Sequence, residues 1–222
     1  MTAYLLAMGA TIIRPGLGYD PELACRHLAE ADPRLGQLIA RAGPFTMRPP
    51  PTQSLFAALV EAIVYQQLSG AAAATILRRV VALYRPRRFP RPVDILDTPG
   101  ERLRAAGLST AKTLAVQDLA AKTVDGTVPS MLRVRRMSDE EIIERLTTVR
   151  GVGRWTVEML LLFRLGRPDI LPIGDLGVRK GFVRAFDNRR ALADHSVLTR
   201  RAERWRPYRS VASWYLWRAL DD

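Results

Sequence analysis

The stretch that most limits what this chain can become runs from Ser138 to Lys180, SDEEIIERLTTVRGVGRWTVEMLLLFRLGRPDILPIGDLGVRK. It reads as helix, glycine turn, helix, loop, then an aspartate that opens a further helix. Ser138 and Glu141 form the S-x-x-E pattern of a capping box, which starts a helix by satisfying amides that have no partner in the first turn. Ile142, Ile143 and Leu146 then give one apolar stripe at helical spacing. Gly151 and Gly153 bracket Val152 in a turn expected to be too tight for ordinary side chains; glycine there permits left-handed angles and close approach of a ligand. The next helix begins near Arg154, carries Trp155, Met159, Leu160 and Phe163, and stops near Gly166 with Pro168 just beyond.

The physical use of such a turn is anion binding. Amides of Gly151 and Gly153, at the positive end of the following helix, suit a phosphate, and Arg150 and Arg154 add charge on either side. Contacts of this kind position a nucleic acid without reading its sequence. Two glycines alone, however, indicate no more than a helix–helix corner.

Charge points the same way. Against 22 acidic residues the chain has 34 basic ones, a net charge of +12 that favours a polyanionic partner. Lys112, Lys122 and Lys180 are its only lysines, so a general preference for arginine would produce the same balance. Cys25 is the only cysteine, and His27 and His195 are the only histidines. An internal disulfide is thereby excluded, and no zinc set, cysteine-ligated cluster or Cys/His dyad with a credible partner is available. His27 sits among alternating polar positions and reads as a surface or satisfied core residue. No apolar run reaches spanning length and no signal segment opens the chain. The expectation is a cytoplasmic protein without a membrane partner.

The remaining segments are helical too. Residues 1–18 could form a short strand or an irregular arm. Two short helices follow from Asp20, with Pro21 and Asp32-Pro33 at their starts, and Pro44 and Pro49 to Pro51 mark a linker. Residues 54–64 make a helix with Leu55, Leu59 and Ile63 facing a core, and Ser69 caps an alanine-rich helix after it. Residues 85–92 are a basic, proline-punctuated loop, read as a solvated connector with DNA contact as a second possibility. Helices at 100–106 and 109–122 turn at Gly107, and 123–137 is an irregular connection. No run of alternating strands occurs, so the fold class is all-α with at most a minor strand element at the N-terminus.

Three stretches together resemble one known family. LTTVRGVGRWTVEMLLLFRLGRPDILPIGDLGVRKG is similar to the helix-hairpin-helix and Gly-Pro-Asp signature of base-excision DNA glycosylases, the 3-methyladenine DNA glycosylase II (AlkA-like) branch in particular. LVEAIVYQQLSGAAAATI, residues 59–76, and LRAAGLSTAKTLAVQDLA, residues 103–120, are similar to other parts of that branch, and WRPYRSVASWYLW extends the likeness. The resemblance implies two helical subdomains flanking a DNA-binding cleft. The expected division is 1–52 packing with 186–222, around a helical domain of 53–185.

On local physics Asp175 is an N-cap, lying before LGVRKGFVRAF. By resemblance it is the catalytic acid, and the two roles are compatible. Asp169, in the R-P-D turn, is read as structural and is its nearest rival. Breaking a glycosidic bond builds positive charge on the sugar, which a fixed carboxylate stabilises while it orients water. An alkylated base leaves as a neutral molecule and needs little help from an acid. The resemblance also implies a base pocket of Trp155, Met159 and Trp217, where an indole face attracts a cationic ring. Close relatives carry an aromatic residue in place of Met159, which leaves the lesion range open. Lyase-competent relatives place a lysine where this chain has Trp155, so hydrolysis without strand cleavage is expected.

Gln67 and Leu68 read either as a packing turn before the Ser69 cap or, by resemblance, as the wedge that fills the hole left by an extruded base. The resemblance further implies a sodium or potassium ion on the backbone carbonyls of Thr147, Val149 and Val152, no organic cofactor, double-stranded DNA as partner and a monomer. Two alternatives stand beside this reading: a non-catalytic hairpin module that only binds DNA, and a glycosylase for other damaged bases.

Overall fold

Helix-start chemistry sets most of the element boundaries. The computed structural model describes residues 17–50, 54–192 and 194–221. Its α-helices are α1 Pro21–Ala31, α2 Pro33–Ala42, α3 Leu55–Tyr65, α4 Gly70–Ala82, α5 Pro92–Leu96, α6 Gly100–Ala105 and α7 Thr110–Val124. They continue with α8 Met131–Val134, α9 Asp139–Leu146, α10 Arg154–Phe163, α11 Leu176–Phe186, α12 His195–Ala202 and α13 Arg209–Arg218. Short 3-10 turns cover Arg189–Leu192 and Glu203–Trp205. Among the described residues there is no strand, and the fold is all-α as expected. The strand or arm expected near the N-terminus lies, up to residue 16, outside the described residues.

Two short helices occupy segments read as irregular or as loop. Ser130 caps α8 inside residues 123–137, and Arg91 with Asp94 closes a capping box on α5, so the basic loop ends one residue earlier than expected. Elements of five residues or fewer are shorter than two helical turns, and a stripe of buried positions cannot show itself over that length.

The chain divides into two compact units. Among the described residues, the first comprises 54–157 and the second 17–50 with 158–221. The expected middle domain of 53–185 is therefore cut within α10, and residues 158–185 group with the C-terminal helices. Local packing explains the shift. The turn after α10 is tied to the start of α13: Ser210 N donates to Pro168 O at 2.9 Å, and Ile170 N donates to Ser210 Oγ at 2.9 Å. A Cβ built on Gly181 of α11 would land on the carbonyl oxygen of Leu216 in α13, so these two helices meet backbone to backbone.

In the first unit α3 is apolar on nearly every side, Glu61 excepted, with Leu55, Phe56, Leu59, Val60, Ile63 and Val64 all buried. A helix of that composition belongs in the middle of a core, and α4 and α7 pack against it. Ser54, Ser69, Ser109 and Ser138 each accept an amide of the helix they precede, fixing where α3, α4, α7 and α9 start. The capping box at Ser138 forms with both of its bonds.

The second unit is built around an aromatic cluster and a buried acid. Phe182 and Phe186 stack with ring centres 4.6 Å apart, and Trp205 lies 5.9 Å from Phe186. Asp32 joins α1 to α2, as the Asp-Pro pair predicts, but its side chain does not cap α2. It is fully buried and takes two bonds from Arg201, each 2.7 Å, and one from Trp205 Nε1 at 3.0 Å. Burial alone would raise its pKa; the Arg201 and Trp205 bonds outweigh that and hold it below the ordinary aspartate value.

A carboxyl lowered on folding binds its proton at higher pH in the unfolded chain. Its stabilisation is present above about pH 4 and is lost as pH falls further. Asp32→Asn should cost about 3 kcal/mol, the low end for breaking a buried pair because Arg201 stays partly in water. Melting curves of the variant and the parent should be well separated at pH 7 and draw together below about pH 4. A gap that does not narrow in acid would show that the charge of Asp32 is not what stabilises this unit. No helix among the described residues is long and apolar enough to cross a membrane.

Candidate functional site

In the first unit the chain makes two turns whose tips are exposed: Gly151 and Gly153 in one, Gln67 and Leu68 in the other. The glycine hairpin follows α9, whose C-cap is Thr147, and ends where α10 starts at Arg154. Gly151 adopts φ +74°, the left-handed region in which glycine is favoured. Gly153 departs from expectation: its φ lies outside that region and a Cβ there would meet nothing, so neither backbone angle nor packing within the protein demands a glycine. Its place just before α10, where its carbonyl accepts the Val157 amide at 3.2 Å, is one local reason, since glycine is accepted at a helix N-cap; close approach by something outside the chain is the other. The Arg150 amide donates to Asp118 Oδ2 at 2.7 Å and the Val152 amide to Val149 O at 3.0 Å. Arg150 is exposed, whereas Arg154 spends its guanidinium on a two-bond ion pair with Glu140 at 2.8 and 2.9 Å.

The second turn is Gln66 to Ser69. Gln67 sits at φ +57°, a left-handed angle that costs a non-glycine residue about 1–2 kcal/mol and so needs fixed surroundings. Gln67 and Leu68 are both exposed, and no core accounts for Leu68. The turn and the hairpin are joined: Gln66 Nε2 donates to Gly151 O at 3.0 Å and lies 3.5 Å from Thr156 Oγ1. Lys112 Nζ donates to Val64 O at 2.8 Å and Gln66 O at 2.7 Å. Burial lowers its pKa from the ordinary lysine value. Lys122 Nζ donates to Asp118 Oδ2 at 2.8 Å and Thr148 O at 2.5 Å. Asp118, raised by burial but lowered more by the Arg150 amide and Lys122, ends below its ordinary pKa.

Gln66, Lys112, Asp118 and Lys122 are site-building residues that sequence reasoning passed over. One signal was available: in a chain this rich in arginine, two of its three lysines fall on α7. At the first turn of α10, Trp155 is 40% exposed, unusual for a large indole that could have packed inward.

In the second unit Asp175 stands at the head of α11 and is only 4% exposed. Its Oδ1 accepts the Val178 amide at 2.8 Å, the predicted N-cap bond, and also the Trp217 indole N–H at 2.9 Å. Two donors and a helix N-terminus thus converge on one carboxylate, which stabilises negative charge there. Trp217 is buried, and its ring lies 5.4 Å from that of Phe163. Met159 is buried on α10. Asp169 is fully occupied by structure: Arg206 reaches it at 2.6 Å and Arg209 at 2.7 and 2.9 Å. It ties the turn after α10 to α13, the role expected of it. Trp214, three residues before Trp217, packs edge-on against Phe45 in the core. His27 is satisfied by the carbonyl of Arg206 at 2.7 Å.

An all-α scaffold with a glycine hairpin after a capping box, and a buried aspartate opening a helix downstream, fits the helix-hairpin-helix class of DNA repair proteins that the sequence resembles. The chain belongs to the HhH-GPD superfamily of base excision DNA repair proteins, whose model matches residues 60–207. It is 35% identical over 197 residues to DNA-3-methyladenine glycosylase 1 of Schizosaccharomyces pombe, covering 86% of this chain and 84% of that one. The solved structure of the Schizosaccharomyces pombe 3-methyladenine DNA glycosylase in complex with abasic DNA superposes with a TM-score of 0.74 at 34% identity, over 88% and 95% of the two chains. A DNA-3-methyladenine glycosidase from Bacillus halodurans gives a TM-score of 0.77 at 30% identity, over 93% and 92%.

Proposed function

We propose that this protein removes alkylated bases of the 3-methyladenine type from double-stranded DNA by hydrolysing the N-glycosidic bond, with Asp175 as the acid that carries the chemistry. The observation that supports this most is the carboxylate itself, buried at a helix start and gripped through Oδ1 by an amide and an indole. Burying a charge that nothing uses is costly, and an N-cap needs no tryptophan to hold it. A carboxylate fixed in this way stabilises the positive sugar that forms as the bond to the base breaks, and it orients the water that replaces the base. A module that merely bound DNA would need neither feature.

The parts divide the work. The Gly151–Gly153 hairpin holds a phosphate through backbone amides, with Arg150 adding charge. Gln67 and Leu68 fill the gap left in the stack, Trp155 of the first unit offers an indole face to the base, and Met159 and Trp217 of the second keep the base-contacting role expected of them. A sodium or potassium ion fits the hairpin carbonyls: among the described residues no donor reaches those of Thr147 or Val152, and Val149 O has one bond and a lone pair to spare. Such an ion would tie hairpin backbone to a DNA phosphate. No organic cofactor enters the reaction, and one copy, working in the cytoplasm (on nucleoid DNA if the source is bacterial), suffices for one lesion.

Trp155 offers no amine to form a Schiff base with the sugar, so the product is an intact strand carrying an abasic site. The test is incubation with methylated DNA, followed by chromatography of the freed bases and a denaturing gel of the strand. Methylated purines should appear in the supernatant while the strand stays whole until hot alkali is added. Strand scission by the pure protein would contradict the Trp155 argument, and absence of any freed base would remove the glycosylase reading.

A further inference from the structure

Three charged side chains of α7 reach the backbones of both exposed turns. Lys112 takes the carbonyls of Val64 and Gln66 at the end of α3, Asp118 takes the Arg150 amide, and Lys122 takes Thr148 O. From Lys112 to Lys122 the helix rises about 15 Å, so α7 acts as a bar with one turn fastened to each end. Gln66 closes the frame by bonding Gly151 O. The carbonyls at a helix end lack partners within the helix, and an ammonium there satisfies two of them at once. Gln67, the next residue, holds a left-handed angle that the chain would leave if the carbonyl before it were released.

We propose that Lys112 is a positioning residue for base extrusion: by pinning Val64 O and Gln66 O it fixes the direction in which Gln67 and Leu68 leave α3 and their distance from the hairpin. The inference rests on the reading of residues 67–68 as the wedge. A side chain that enters a base stack must push against it, and a turn that yields transmits little of that push. The loss then falls where extrusion is hardest. A lesion in a matched pair must be unstacked and unpaired, whereas one opposite a mismatched base is already partly released. Loss of folding in this unit would slow both substrates alike.

The test is Lys112→Met, which keeps the aliphatic stem and removes the charge and its donors. Single-turnover excision of a methylated purine is measured opposite its normal partner and opposite a mismatched base. The matched rate should fall at least about tenfold, since even one of the two hydrogen bonds lost from the charged group is worth that much, and the mismatched rate by no more than about threefold. Amide exchange at Gln66, Gln67 and Leu68 should quicken while the interior of α7 stays protected. Equal slowing on the two substrates, or an unchanged matched rate, would overturn the proposal. A parent protein that frees no base from either substrate would instead remove the glycosylase reading beneath it.

Discussion

Asp175→Asn should stop base release while leaving the protein folded and able to bind DNA. Asparagine caps a helix about as well as aspartate, so its side-chain oxygen can still take the Val178 amide and the Trp217 indole. The change therefore removes the charge and little else. Without that charge the positive sugar loses its counterion in a site only 4% open to water, where solvent cannot replace it. A loss on the order of 10³-fold, about 4 kcal/mol of barrier, is expected in single-turnover excision. Melting temperature and duplex affinity should stay near those of the parent. Near-normal excision by the variant would end the assignment of Asp175. A parallel collapse in melting temperature would show that asparagine fails as a cap here, in which case the activity loss says nothing about charge.

The second large effect concerns a residue with no side chain. Gly181→Ala would place a methyl on the Leu216 carbonyl, a backbone atom that cannot swing aside as a flexible side chain would. Either α11 or α13 must shift as a body. Overpacking of this kind costs roughly 1–3 kcal/mol, and the rigid neighbour puts this site at the upper end. With 2–4 °C lost per kcal/mol in a chain of this size, the melting temperature should drop by roughly 6–12 °C. The same shift reaches Asp175, the acid proposed for the chemistry, because it heads α11 and Trp217 is the next residue after Leu216 on α13. The bond between them, 2.9 Å long, joins the two helices that would be driven apart. Excision should then fall more steeply than the folded fraction at the assay temperature accounts for. If Gly181→Ala melts with the parent, the close approach of α11 and α13 is not what the backbone geometry indicates.

What was legible in the sequence was local. Ser138 with Glu141, Ser69 and the N-cap role of Asp175 all act within three residues, and each was readable from spacing alone, whereas Ser54, read as the first residue of its helix, is its cap. So was the left-handed Gly151. Gly153 shows the limit of that kind of reading. A glycine in a glycine turn was assumed to be needed by the turn, yet its angle is ordinary and its surroundings are open. Gly181 is the converse: an isolated glycine within a helix pattern, which lowers helix propensity, announces a packing reason without saying which neighbour supplies it.

The sequence by itself determined an all-helical chain, where most helices start, and the type and order of the residues that could do the chemistry, because capping and helical periodicity are properties of neighbours along the chain. Only the tertiary structure decided what those residues touch. Trp217 grips Asp175 across 42 positions, Lys112 holds the turn after α3 across 48, Gln66 reaches the hairpin across 85, and Arg201 pairs with Asp32 across 169. A polar group must find a partner once it leaves water, but nothing in the order of residues says which distant group the folded backbone will bring to it.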